Sequence, residues 1–73
     1  PLSALVAKDE GLADIKKITA DAKNYLLPGG WLMFEHGWQQ AEAVQQILSA
    51  TGFTQVVSGA DYGGNLRYTL GKF

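Results

Sequence analysis

The 73-residue chain has no cysteine, one histidine, one methionine and two prolines. Without cysteine, neither a disulfide nor a thiolate metal site can staple it. Charge is sparse too. Six basic and seven acidic residues make up 18% of the chain and leave a net charge of -1. There is no basic run, so a nucleic-acid footprint is not expected. The apolar runs fall far short of the roughly 20 residues a membrane span requires. No secretory signal is visible, and a cysteine-free chain suits the cytoplasm, the expected location. The chain opens at Pro1 without an initiator methionine, as expected of a processed chain or a piece of a longer one.

What is present reads as globular: 47% of the residues are hydrophobic, enough for a packed core. A domain this short buries only roughly 60% of its unfolded surface, so its stability is marginal. Leu2, Leu5 and Val6 suggest a short extended segment or turn. Asp9 or Glu10 then lies close to a helix start, where an acid suits the positive end of the helix dipole. Leu12, Ile15, Ile18, Ala22 and Leu26 recur in steps of three and four, which predicts a helix over 12–26. Asp14, Lys16, Lys17, Asp21 and Lys23 fall mostly off that stripe and should face water. Pro28-Gly29-Gly30 should stop the helix.

Trp31 to Phe34 is wholly apolar and bounded by glycines, then ends in Glu35-His36-Gly37. That is the pattern of a strand covered on both faces whose carboxyl end opens onto a site. A second helix runs from about Gln39 to Thr51 on the stripe Ala41, Val44, Ile47 and Leu48, with Gly52 placed to cap it. Phe53 to Ser58 reads as a strand, and residues 59–65 as a turn-rich loop. Leu66, Tyr68 and Leu70 alternate with Arg67, Thr69 and Gly71, so residues 66–73 read as a further strand, antiparallel to the one before. The expected fold is α/β, in the order helix-strand-helix-strand-strand.

The blocks Pro1-Leu2-Ser3-Ala4-Leu5, Gly11-Leu12-Ala13-Asp14-Ile15, Gly29-Gly30, Glu35-His36-Gly37-Trp38-Gln39-Gln40, Gly52-Phe53 and Asp61-Tyr62-Gly63-Gly64-Asn65-Leu66-Arg67 have a common likeness. Together they resemble the C-terminal region of the HemK-type peptide-chain release factor glutamine methyltransferases, over essentially the whole chain. The resemblance implies a class I, Rossmann-like methyltransferase domain that uses S-adenosylmethionine. Residues 1–73 would be the C-terminal portion of that single domain, supplying its last three strands and two helices. The final strand would lie between the other two, antiparallel to both. The implied reaction methylates the side-chain amide of the glutamine in the Gly-Gly-Gln motif of release factors, which are then the partners.

The family's glycine-rich cofactor loop, its ribose-binding acid and its Asn-Pro-Pro-Tyr motif have no match in the chain. No catalytic, cofactor-binding or metal-binding residue is therefore carried over, and the piece alone is expected to be inactive. Glu35 and His36 are the candidate residues on the substrate side of the sheet. Neighbours on a strand point to opposite faces, so the two are expected to cap the strand end rather than act on one atom. Trp38 could stack on a ligand or fill the core. Gln39 and Gln40 should be solvated, and Asp61 and Arg67 should brace their loop as an ion pair. Removal of a preceding strand would leave the edge of Trp31–Phe34 open, which favours self-association. Two other readings stand beside this one: a free-standing, non-catalytic α/β interaction module, and a methyltransferase of the same fold with another substrate.

Overall fold

The computed structural model describes every residue except Asp9, so the expectation for that residue lies outside the described part. Six main elements follow one another: β1 (Leu2–Ala7), α1 (Leu12–Asp21), β2 (Leu26–Glu35), α2 (Ala41–Ala50), β3 (Thr54–Ala60) and β4 (Leu66–Lys72). Short 3-10 turns cover Ala22–Asn24 and Trp38–Gln40. The strands form one mixed sheet in the order β1-β2-β4-β3. β1 runs parallel to β2, while β4 is antiparallel to both β2 and β3. The chain is an α/β fold, and β4 lies between two strands that precede it in sequence.

Three expectations about the elements and their edges need correction. The opening segment is a full strand, so the chain supplies four strands and not three. The edge of Trp31–Phe34 is therefore not open: Ala4 to Ala7 pair along Trp31 to Phe34, and the free edges belong to β1 and β3. The first helix is also shorter than its stripe suggests. It ends at Asp21, and Leu26 and Leu27 already belong to β2. The apolar step at Leu26 is real, since Leu26 is buried in the same core as Ile15 and Ala22, but it is reached from a strand.

Both helices pack on one side of the sheet. Ile15 and Ala22 from the first helical segment join Val44 and Leu48 of α2 over Leu32 and Phe34 of β2, with Phe53 closing the end. Burying each large apolar side chain there contributes about 1.5–3 kcal/mol. Thr69 and Gly71 of β4 lie opposite Phe34 and Leu32 and are buried on that same side. α2 ends where expected. Gly52 takes φ 102°, its N–H donates to the Ser49 carbonyl, and the Phe53 N–H donates to the Leu48 carbonyl. This paired cap needs the left-handed backbone that glycine tolerates.

Among the described residues no helix packs on the other side of the sheet, so β2 is covered on one face and not on both. Val6, Met33, Leu70 and Val57 stand side by side there, one from each strand. Val6 and Val57 are each 52% exposed. The bare side is thus an apolar row crossing the whole sheet.

Candidate functional site

The carboxyl ends of the parallel strands and the β3–β4 hairpin together border an open cleft of about 730 Å³. Lys8 follows β1, Glu35 ends β2, and His36 and Gln40 begin the crossing to α2. Asp61 and Arg67 come from the hairpin. The site is therefore assembled from residues at or just beyond one end of each strand.

Glu35 and His36 point apart, as their adjacency requires. Glu35 is exposed, and its carboxylate lies 3.3 Å from the Lys8 ammonium. His36 is only 8% exposed. Its backbone N–H continues the β2–β4 ladder by donating to the Arg67 carbonyl at 2.9 Å. Its ring touches the Gly37 carbonyl through Nδ1 at 2.8 Å and the Thr69 hydroxyl through Nε2 at 2.7 Å. The two candidate residues flank the cleft but do not converge on one point.

Asp61 organises the hairpin. One carboxylate oxygen accepts from the backbone N–H groups of Gly63 (2.9 Å) and Asn65 (3.1 Å), and the other accepts from Arg67 Nε at 3.0 Å. The hydrogen bond from Arg67 and then the Asn65 N–H hold this carboxyl below its ordinary value of 3.8. The expected ion pair is present.

Trp38 is 53% exposed, so it does not fill the core. Gln40 is a cap and not free surface: its side-chain oxygen accepts from the Gly37 N–H at 3.0 Å. Lys16, Lys17 and Lys23 face water. Sequence reasoning missed Lys8, Gln45, Ser58 and Thr69. The usable signal was Thr69, a hydroxyl in the middle of a strand whose alternate neighbours along the strand, Arg67 and Gly71, are polar or small.

A cradle for S-adenosylmethionine calls for backbone N–H groups at a glycine turn that leads from a strand into a helix. Gly63 and Gly64 form no such turn. They join two antiparallel strands, and their N–H groups are already given to the Asp61 side chain and carbonyl. The described residues do not fit that cofactor, and no chemical step is assigned to it. Among the described residues, no group of three or more His, Asp or Glu gathers to hold a metal ion. No helix among them is long and apolar enough to cross a membrane.

No protein-family model matches the chain. Curated relatives do. The release factor glutamine methyltransferase of Yersinia pestis is 58% identical over 73 residues, all of this chain and 26% of that protein. The proteins of the same name from Escherichia coli K12 and Pseudomonas aeruginosa are each 51% identical over the same span, again 26% of their length. The chain thus spans about a quarter of the curated relatives it matches. From end to end it is homologous to part of the release factor glutamine methyltransferases, and it fits a C-terminal fragment of one.

Proposed function

We propose that this chain is the C-terminal portion of an S-adenosylmethionine-dependent protein methyltransferase, and that the portion alone is inactive. The parent's substrate is the side-chain amide of the glutamine in the Gly-Gly-Gln motif of peptide-chain release factors. The observation that carries this reading is the match over all 73 residues, at up to 58% identity, to proteins named for that activity. The placement of β4 between β2 and β3 supports it, since the resemblance implied that order. The Gly63 and Gly64 N–H groups, already bound to Asp61 within the hairpin, are in keeping with the inactivity.

Methyl transfer to an amide nitrogen depends mostly on holding the two reactants in line and excluding water. The cleft residues suit that task. Glu35 and Lys8 offer a carboxylate and an ammonium at the rim, and the capped turn at Gly37 gives a rigid floor. None of them is asked to move a proton.

Two measurements test the reading. The full-length protein containing this segment should methylate a release-factor peptide bearing Gly-Gly-Gln and spare the same peptide with glutamate in that place. Equal methylation of both would overturn amide specificity. Calorimetry of the 73-residue chain with S-adenosylmethionine should show no heat of binding, and one-to-one binding would overturn the inactivity. A free-standing interaction module predicts no methylation by any longer form.

A further inference from the structure

Four side chains, from α2, β3, β4 and the turn after β2, join end to end beside the cleft. Gln45 of α2 donates its amide N–H to Ser58 Oγ of β3 at 2.8 Å. Ser58 Oγ and Thr69 Oγ1 of β4 are 2.6 Å apart, and Thr69 Oγ1 is 2.7 Å from His36 Nε2. His36 Nδ1 then meets the Gly37 carbonyl at 2.8 Å. Thr69 is fully buried and His36 nearly so, so the bond between them is shielded from water, while those of Gln45 and Ser58 are half-buried.

The polarity of the chain of bonds follows from its last member. A carbonyl oxygen only accepts, so Nδ1 must carry the proton it gives to Gly37. In the neutral ring Nε2 is then an acceptor, and the Thr69 hydroxyl must donate to it. Thr69 oxygen in turn accepts from Ser58, whose oxygen accepts from Gln45. Every polar group in the series is satisfied with one consistent direction.

We infer that Gln45, Ser58 and Thr69 are positioning residues that hold His36 as the neutral Nδ1–H tautomer. The same Gly37 carbonyl also accepts the Gln40 backbone N–H at 2.9 Å. The ring therefore locks the turn that floors the cleft, and ties the end of β2 to α2, β3 and β4 at once. His36 is not a base for substrate: Nδ1–H donates to the Gly37 carbonyl, and the Nε2 lone pair already accepts the Thr69 hydroxyl. The tautomer is read without substrate, so its outcome is independent of the proposed function.

His36 is the sole histidine of the chain, so its ring nitrogens can be read without ambiguity. Long-range proton–nitrogen spectra of the 15N-labelled 73-residue chain, in mildly alkaline solution, should show a protonated Nδ1 and an unprotonated, hydrogen-bonded Nε2. An Nε2–H ring, or one averaged between tautomers, would overturn the assignment. In Thr69→Val the Nε2 signal should move to the position of an unbonded lone pair, and Thr69→Ser should return it. An unmoved signal in a folded Thr69→Val chain would remove Thr69 from the role. If that variant does not fold, Ser58→Ala carries the test: a smaller shift in the same direction supports the series, and no shift breaks it at Ser58.

Discussion

At the scale of single residues, Asp61 shows how one carboxylate orders a loop. It replaces the backbone partners that Gly63 and Asn65 lack and anchors Arg67. Its carboxyl is held below the ordinary 3.8, first by the Arg67 hydrogen bond and then by the Asn65 N–H. A carboxyl lowered in the folded state favours that state above its ordinary value, and the contribution is lost as pH falls through the lowered one. The amide signals of Gly63 and Asn65 should therefore titrate with a midpoint below the ordinary carboxylate value. In Arg67→Ala the midpoint should rise toward the ordinary value, and an unchanged midpoint would show that the guanidinium is not the cause. This pair was legible in the sequence, because an acid and a base flank a glycine-rich turn at short range. The bond between His36 and Thr69 was not: 33 residues separate them, and only the sheet order brings them together.

At the scale of elements, the hairpin of β3 and β4 depends on a glycine facing an aromatic ring. Gly59 pairs with Tyr68, and a Cβ at Gly59 would collide with the Tyr68 ring. The ring thus occupies the space a side chain would take, a known way to cover a strand glycine. Gly59→Ala should destabilise the chain by about 1–3 kcal/mol, as overpacking does, and adding Tyr68→Ser should recover much of the loss. Urea melts of the unsubstituted chain and the two variants check this, and a Gly59→Ala midpoint equal to that of the unsubstituted chain would show that the ring simply moves aside. Element types were mostly legible: the second helix, its Gly52 cap and both C-terminal strands stand where period and turn residues put them. The first helix was read too long because Ala22 and Leu26 keep the apolar step after the helix has ended at Asp21. Spacing reports burial in a core, and a strand can meet the same core as the helix before it.

At the scale of the whole molecule, helices cover one face of the sheet and leave the other bare. The sequence implied cover on both faces of Trp31–Phe34, since an apolar run of that kind carries no sign of which side is filled. The row of Val6, Met33, Leu70 and Val57 crosses all four strands. Apolar patches of this kind mark contact surfaces or association liabilities, and the free edges of β1 and β3 add to the tendency. The isolated chain should therefore self-associate, seen as a sedimentation coefficient that rises with concentration. Val6→Lys with Val57→Lys should return it toward monomer with an unchanged circular dichroism spectrum. An unsubstituted chain that sediments as a monomer at every concentration would refute this. The central position of β4 sets the order in which the chain can fold. β2 and β3 have no bonds to each other and meet only through β4, the final strand in sequence. A growing chain that emerges from the ribosome can form its early helices and the β1–β2 pair, yet the sheet cannot close until β4 has threaded into the gap. Such late, long-range closure is slow, and during the wait the edges of β2 and β3 are open to the wrong partner.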